Sequence, residues 1–265
     1  MGTSGNGARA IQSSEGWLNL GRDISFVIRV CDAEAGLSDL VHRVDESARN
    51  CCDQFEILIV DDASAEQTAS EAHQLERELA SVRVITHPFT IGFGSGIKSG
   101  LAHSRYPWLM NIPADGSFQA SDISKFVSKM NEHDLVIGYR PLRSRSLGHR
   151  TGILIVRVIL RVFFGVKARE TNSPKLLKKE ILKDAIIESR GFAIGSEVII
   201  KSAFRGARLC HVMLSESPVP ERKIDGRHVI NSLVGLLDLL LFFVMRVFKL
   251  ADFDPTGEDK KRVLR

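Results

Sequence analysis

Short apolar runs alternate with longer amphipathic segments over the first half of the chain. Runs of β-branched and other apolar residues, bounded by glycine or polar residues, predict buried strands. The predicted strands are residues 24–30, 55–60, 82–86, 108–112 and 135–139. Helices are predicted at residues 37–50, 66–79 and 121–132, and residues 92–103 predict a glycine loop that leads into a helix. This alternation predicts an α/β fold with a doubly wound, mainly parallel sheet and helices on both faces.

Two longer apolar segments follow in the second half. Residues 151–166 predict an apolar helix that carries Arg157 and Arg161 one turn apart. Residues 229–250 approach the length of about 20 apolar residues that crosses a bilayer. Asp238 at the middle of this segment would cost roughly 2.5–3.5 kcal/mol in the bilayer. We therefore predict a helix that lies in the membrane interface or packs on a partner, with a core helix as the alternative.

These patterns divide the chain into three parts: a polar N-terminal lead-in (1–22), an α/β domain (23–228), and a C-terminal apolar segment with a polar tail (229–265). The lead-in lacks the apolar core of a signal peptide. The four cysteines show no metal-ligand spacing, and two of them are adjacent, which argues against a disulfide framework. We therefore expect a cytoplasmic protein, peripheral at the inner face of the membrane.

Charge is unevenly distributed, although the formal net charge is only +4. Residues 140–179 contain eleven Lys or Arg and a single acid, Glu170. Such an excess suits a phosphate-bearing partner or an anionic membrane surface, and no nucleic-acid partner is expected. A solvated helical face is the alternative interpretation.

Polar residues gather where the predicted strands end. Asp61 and Asp62 directly follow the second strand, where carboxylates can accept hydrogen bonds from a base or a ribose. Asp115 follows the fourth strand and could hold a divalent cation against a diphosphate. Ordinary turns are the alternative at both places. Glycines at 92, 94 and 96 follow the third strand rather than the first, which argues against an NAD-dependent oxidoreductase.

The ordered set of segments ISFVIRVCDAE, ILIVDDAS, HPFTIGFGSGIKSGLAHS, LMNIPADGSF and LVIGYR resembles the family 2 glycosyltransferases, most closely the polyprenyl-phosphate sugar synthases. The resemblance implies a GT-A fold, a nucleotide-sugar donor of unknown base, Mg²⁺ or Mn²⁺, and inversion at the sugar carbon. The acceptor stays open between a polyprenyl phosphate, which the closest resemblance suggests, and another acceptor such as a hydroxyl group.

The resemblance assigns roles to individual residues. It makes Asp115 the metal ligand. The residues that it places in catalysis are Asp115, Arg140, Arg150 and Glu197. The residues that it places at the nucleotide are Asp32, Asp61, Asp62, Gly92, Gly94, Lys98 and Ala114. The residues that it places at the acceptor or its phosphate are Arg145, as the rival of Arg150, together with Lys175 and Arg222.

The chain also departs from the family pattern. Pro113 stands where a first metal-binding aspartate is expected, and Arg29 replaces the usual proline in the first strand. Two functions therefore stay open. The first is an active transferase in which arginines neutralise phosphates and, for a hydroxyl acceptor, Glu197 acts as the base. The second is a degenerate relative that binds a nucleotide or a partner protein without turnover.

Overall fold

The computed structural model describes residues 21–32, 36–64, 66–141, 147–189, 191 and 193–216. The strands are β1 (Asp23–Val30), β2 (Gln54–Asp61), β3 (Val82–Thr86), β4 (Trp108–Pro113), β5 (Leu135–Tyr139), β6 (Lys175–Lys178) and β7 (Leu209–Met213). The helices are α1 (Leu37–Cys51), α2 (Glu66–Glu78), α3 (Ser95–His103), α4 (Ile123–Val127), α5 (Leu147–Phe164) and α6 (Ile194–Phe204). The five predicted strands are confirmed to within one residue at each end.

The seven strands form one sheet in the order β3-β2-β1-β4-β6-β5-β7. All neighbouring pairs are parallel except those of β6, which runs antiparallel to β4 and β5. Val30 lies opposite Asp61 of β2, and Arg29 lies opposite Pro113 of β4. The ends of β1, β2 and β4 therefore meet at one edge of the sheet, where ligands of such folds bind.

Apolar residues cover both faces of the sheet because successive strand residues point to opposite sides. On one face Phe26, Ile57 and Met110 belong to a core shared with α1, α2 and α4. On the other face Val27 and Leu58 belong to a core shared with α3, α5 and α6. The predicted doubly wound sheet with helices on both faces is confirmed.

Several elements differ from the prediction. The sequence predicted five strands, and β6 and β7 were missed because β6 has four residues and β7 contains a cysteine and a histidine among its five. The predicted helix at 121–132 is wrong in length, since a 3₁₀ turn (Ala120–Asp122) leads into the five-residue α4. The buried carboxylate of Asp122 does not cap α4 and instead accepts hydrogen bonds from the Ser215 N–H and Oγ at 2.8 and 2.7 Å, so it ties this turn to the segment after β7.

None of the six described helices combines the length and the apolar character that a bilayer-spanning helix requires. The predicted C-terminal helix at 229–250 lies outside the described residues. The limits of the three predicted parts of the chain stay a prediction.

Candidate active site

The end of β2 carries the first predicted pair of carboxylates. Asp61 and Asp62 are buried, with 1% and 0% of their surface exposed. Asp61 Oδ1 accepts a hydrogen bond of 2.9 Å from the Ser64 N–H, so this carboxylate fixes the turn that leaves the strand. Asp32 follows β1, is exposed, and donates its backbone N–H to Ser64 Oγ at 3.1 Å. Of these three acids, Asp32 is the one that faces solvent.

The Asp62 carboxylate is surrounded by donors from two other segments of the chain. Arg29 Nη2 lies 2.6 Å from one oxygen, and His87 Nδ1 lies 2.9 Å from the other. The N–H groups of Ile91 and Gly92 donate to the same carboxylate at 2.9 and 3.0 Å. Burial raises the pKa of Asp62, but the bonds from His87, the two amides and Arg29 outweigh it and hold the pKa well below its usual range.

These contacts anchor the loop between β3 and α3, which carries the predicted glycines. His87 Nε2 lies 2.8 Å from Ser99 Oγ in α3, and Arg29 Nε lies 3.1 Å from Ser95 Oγ at the start of that helix. Gly92 has a φ of 113°, which a side chain would strain. Asp62 therefore acts within the protein as the anchor of this loop, and its predicted contact with the nucleotide would be made through the loop.

Asp115 and Arg140 converge on one residue at the ends of β4 and β5. Asp115 lies in an exposed turn, where its Oδ1 accepts a hydrogen bond of 2.9 Å from the Ser117 N–H. Arg140 directly follows β5, and its guanidinium donates to the carbonyl oxygen of Ser117. The predicted metal ligand and the predicted phosphate contact thus share Ser117 as a partner.

A cluster of cations surrounds the end of β5. The Arg140 N–H donates to Glu170 Oε2 at 3.2 Å, and the Arg169 guanidinium lies 4.4 Å from the centre of the Tyr139 ring. Arg157 of α5 donates from Nε to the Arg169 carbonyl at 2.7 Å. Arg140, Arg157 and Arg169 thus lie around the end of β5 together with Glu170, and such a cationic edge attracts phosphate.

His211 of β7 joins this cluster as an acceptor, since the Arg169 N–H donates to its Nε2 at 3.2 Å. Burial, with the charges of Arg169 and Arg157, lowers the pKa of His211. The histidine is therefore neutral at neutral pH and can accept the Arg169 hydrogen bond without adding to the positive charge.

Lys175, a predicted phosphate contact, is the first residue of β6 and is 1% exposed. It lies opposite Asn111 of β4 and Ile137 of β5, and its Nζ donates to the Ser173 carbonyl at 2.7 Å. Burial lowers its pKa to about 7, against the charge of Glu170, which raises it. The amine is enclosed by protein, so a phosphate would have to displace part of this packing to touch it.

Glu197 of α6, the predicted base for a hydroxyl acceptor, is 2% exposed. Its carboxylate pairs with Lys201 at 2.5 Å and accepts the N–H groups of Glu188 and Ser189 at 2.8 Å each. Burial raises the pKa of Glu197, but Lys201 and the two amides outweigh burial, so the pKa lies below its usual value. A base needs an accessible lone pair, whereas the Glu197 carboxylate oxygens accept hydrogen bonds from groups inside the protein. Lys98, a predicted nucleotide contact, reaches the same segment, with Nζ 3.3 Å from the Glu188 carbonyl.

The remaining predicted residues lie at the same edge of the sheet, in α5, or outside the described residues. Gly94 precedes α3, Ala114 precedes Asp115, and Arg150 lies partly buried in the second turn of α5. Arg145 and Arg222 lie outside the described residues.

Among the described residues, Asp115 after β4 and Asp32 after β1 are exposed carboxylates at this edge. Within the described ranges, no three or more His, Cys, Asp and Glu side chains are grouped to hold a metal ion. Asp115 supplies the oxygen ligand that Mg²⁺ and Mn²⁺ prefer, and Mg²⁺ commonly binds one or two carboxylates together with substrate phosphates and water. The residues present therefore fit an ion that is held largely by a bound diphosphate.

Comparison with known families decides the class of this protein. The model of glycosyl transferase family 2 matches residues 25–202, which is well over half of the chain. The chain belongs to this family. The matched range contains both edge groups described above, the Asp62 anchor and the Asp115–Ser117–Arg140 arrangement. The predicted resemblance is confirmed, and the protein is a family 2 glycosyltransferase of the class that uses nucleotide-sugar donors.

Curated relatives of this transferase include an uncharacterized glycosyltransferase and an enzyme named for a lipid-phosphate acceptor. An uncharacterized glycosyltransferase of Mycobacterium tuberculosis is 27% identical over 190 residues, which cover 69% of this chain and 84% of the relative. The undecaprenyl-phosphate mannosyltransferase of Micrococcus luteus is 26% identical over 208 residues, which cover 71% of this chain and 83% of the relative.

Solved structures share the GT-A fold of this transferase. Glucosyl-3-phosphoglycerate synthase from Mycobacterium tuberculosis, crystallised with Mn²⁺, uridine diphosphate and phosphoglyceric acid, aligns with a TM-score of 0.64 at 18% identity, over 83% of this chain and 78% of that one. A mannosyltransferase from Pyrobaculum calidifontis, in complex with GDP-Man and Mn²⁺, aligns with a TM-score of 0.61 at 15% identity, over 83% and 65%. The predicted GT-A fold is confirmed.

Sequence reasoning missed several residues that build this site in the transferase. Arg29 was noted only as a departure from the family pattern, and His87 received no role at the site. A charged residue inside the apolar run ISFVIRV, one strand away from an acid pair, was the signal for Arg29. Ser117 and Tyr139 act through a backbone carbonyl and a ring face, which no residue pattern reveals.

Proposed function

We propose that this transferase moves a sugar from a nucleotide-sugar to a polyprenyl phosphate, with inversion at the sugar carbon and with Mg²⁺ or Mn²⁺ bound at Asp115. The convergence of Asp115 and Arg140 on Ser117 carries the proposal, because it brings a metal-binding oxygen and a guanidinium to the edge where ligands of this fold bind. The Micrococcus luteus relative, which by its name acts on undecaprenyl phosphate, supports the acceptor class.

The acceptor phosphate supplies the nucleophile in this mechanism. One of its oxygens, already ionised at neutral pH, forms a bond to the sugar carbon from the side opposite the nucleotide. The bond between that carbon and the diphosphate oxygen breaks, and the electron pair leaves with the nucleoside diphosphate. No general base is needed, which accords with the internal contacts that occupy Glu197.

The protein positions the phosphates and neutralises their charge. A divalent ion at Asp115 would stabilise the negative charge of the departing diphosphate. Arg140 binds phosphate oxygens beside Asp115, and Arg157 and Arg169 extend the positive edge toward the acceptor. Guanidinium groups suit this task because they bind phosphate in a bidentate manner and keep their charge.

Cytoplasmic placement, at the inner face of the membrane, is part of the proposal. The four cysteines are free thiols, and the sulfurs of the adjacent Cys51 and Cys52 are 3.9 Å apart without a bond. Free thiols accord with a reducing compartment.

The test is a donor panel. Full-length protein is incubated with uridine- and guanosine-diphosphate sugars and with a short-chain polyprenyl phosphate, with and without Mn²⁺ or Mg²⁺, and both nucleoside diphosphate and glycosylated lipid are measured. We expect metal-dependent formation of both products with one donor. Product formation that proceeds unchanged without a divalent ion would remove the metal from the proposal.

Asp115→Ala and Arg140→Ala should each lower turnover by about 10²-fold or more, the effect of removing a charge-stabilising contact. Arg77→Ala, at an exposed arginine of α2, is the matched control and should remain near the wild-type rate. A near-normal rate in either site variant would exclude that residue from the mechanism.

A second candidate, a binding protein without turnover, is favoured by Pro113 at the end of β4, where the family pattern has an aspartate. The same panel separates the two functions. Metal-dependent binding of a nucleotide-sugar without release of nucleoside diphosphate would establish the second candidate.

A further inference from the structure

The outer face of α5 exposes a continuous stripe of large apolar side chains. Leu154, Ile155, Val158 and Val162 are 47%, 44%, 59% and 68% exposed. Residues four apart lie one above the other on a helix, so 154, 158 and 162 form a row with 155 beside it. The opposite face packs Ile159, Leu160 and Phe164 into the core shared with α6. Helix α5 is therefore apolar on two faces, and the described part of the chain buries only one of them.

A row of arginines borders this stripe, which is defined by residues 154, 155, 158 and 162. Arg150, Arg157 and Arg161 follow one another at intervals of seven and four residues, which places them on the same side of the helix. The helix contains no aspartate or glutamate. Arg157 is anchored to the Arg169 carbonyl, so the row borders the cationic end of β5.

We propose that α5 lies in the interface of an anionic membrane, with the apolar stripe in the acyl boundary and the arginine row at the lipid phosphates. A helix with a cationic side and an apolar side binds membranes in this manner, burying the apolar face about 5–10 Å into the headgroup region. Contiguous apolar surface of this kind mostly marks a binding site in a soluble domain.

Charge complementarity favours lipid over other occupants. A second copy of α5 would bring arginines beside arginines with no acid on the helix to pair with them. An anionic leaflet supplies phosphates to the row and hydrocarbon to the stripe at the same time, and each basic residue near such a surface adds attraction. Insertion across the bilayer would instead place Arg157 and Arg161 in hydrocarbon.

The orientation has a consequence for the reaction. Because Arg157 contacts Arg169, and Arg169 covers Tyr139 beside Arg140, a membrane bound by α5 lies next to the end of β5. A lipid-borne phosphate could then enter the site without leaving the membrane. Membrane binding itself does not depend on the proposed transfer; only this use of it does.

The experiment is co-sedimentation of full-length protein with two kinds of vesicle, phosphatidylcholine alone and phosphatidylcholine mixed with phosphatidylglycerol. We expect binding to the anionic vesicles, and the variant V158D/V162D should reduce that affinity about tenfold or more by placing carboxylates in the stripe. Arg161→Gln should reduce it roughly fivefold, the effect of one cation near the surface. On phosphatidylcholine alone, Arg161→Gln should equal wild type.

The control variant Q67D/S70D adds the same two carboxylates to exposed positions of α2, on the opposite face of the sheet. It should bind anionic vesicles like wild type. Equal losses in V158D/V162D and the control would mean that net charge alone acts, and would overturn the proposal. Unchanged vesicle binding in V158D/V162D would overturn it as well.

Two further measurements identify other occupants. A V158D/V162D variant that keeps vesicle binding and loses thermal stability would show that the chain's own residues 217–265 cover the stripe. A dimer that dissociates in V158D/V162D, seen by analytical ultracentrifugation, would assign the stripe to a second copy. Either result overturns the proposal.

Failure of the proposed function would look different. Asp115→Ala should lose metal-dependent nucleotide-sugar binding and keep vesicle binding, while V158D/V162D should show the reverse. Vesicle binding without any donor turnover would refute the transfer reaction but would still support membrane binding by α5.

Discussion

Asp61 and Asp62 are adjacent and chemically identical, yet they do different work in the structure. Asp61 fixes one turn through the Ser64 amide, whereas Asp62 holds four donors from the end of β1 and from the loop after β3. A buried carboxylate is stable only when its desolvation is offset by such donors. At the scale of single residues, position relative to other strands decides the role.

Asp62→Asn should lower the free energy of unfolding by about 3 kcal/mol or more, because it leaves Arg29 and His87 without their anion and sets amide hydrogens against the Ile91 and Gly92 amides. Urea unfolding measures the change. Asp39→Asn, which breaks an exposed pair with Arg43 in α1, is the control and should have little effect. An equal loss in both variants would contradict the anchor role of Asp62.

Lys175 should make stability depend on pH between about 7 and its usual pKa of 10.5. In that window the unfolded chain binds a proton that the native chain lacks, so the free energy of unfolding rises with pH. Lys175→Met removes this titration, so the advantage of the variant over wild type should be largest at neutral pH or below and should shrink toward pH about 10. Urea unfolding across that range tests the trend, and a constant difference would contradict the burial of a titrating amine.

Several contacts between helices and their neighbouring segments depend on a close approach of the backbone at glycine, which hydrophobic periodicity does not predict. Helix α6 begins against the segment before β6, where a Cβ at Gly195 would overlap the Thr171 carbonyl oxygen and lie 2.8 Å from Asn172 Oδ1. Gly100 of α3 lies equally close to the sheet, with an added Cβ 2.8 Å from Leu109 and Val27. These glycines let helices lie directly on strands.

Gly195→Ala should destabilise the protein by about 1–3 kcal/mol or more, because the clash is with backbone that cannot move aside. Gly152→Ala in α5 is the matched control: an added Cβ there meets nothing within 4 Å, and alanine favours a helix by up to about 1 kcal/mol. Thermal unfolding of the two variants should therefore shift in opposite directions. A neutral Gly195→Ala would contradict the packing of α6.

On the scale of the whole molecule, the sheet collects charges of both signs at one edge. The Asp62 anchor lies at the β2 side and the cationic cluster at the β5 side, with Asp115 between them at the end of β4. The antiparallel strand β6 adds a further basic residue to this edge, because its first residue, Lys175, lies beside the ends of β4 and β5. The predicted nucleotide contacts and the predicted phosphate contacts thus follow one another along one edge of the sheet.

The preferred nucleotide-sugar with Mn²⁺ should raise the melting temperature, since a ligand at 100 times its Kd stabilises a protein by about 2.7 kcal/mol. A protein of this size gains roughly 2–4 °C for each kcal/mol. Removing the metal with EDTA, or replacing Asp115 by Ala, should abolish most of that gain. A gain that survives both changes would show that nucleotide binding does not use an ion at Asp115.

Much of the fold could be predicted because buried parallel strands are continuous apolar runs, and five of seven were found within one residue. Strands β6 and β7 were not predicted because neither contains such a run, and both pair with strands far away in sequence. The site was predicted as residue positions at strand ends. Which of those side chains are buried, as Asp62, Lys175 and Glu197 are, depended on partners that no local pattern contains.

Hydrophobic periodicity and the ordered motifs are local properties of the chain, and they were enough to predict the alternation of strands and helices, the α/β class and the family. Three features are visible only in the folded chain: Asp62 anchors a loop, Asp115 and Arg140 meet at Ser117, and α5 keeps an apolar face outside the described core. These features join segments far apart in sequence, and desolvation and hydrogen bonding act on that spatial arrangement rather than on residue order.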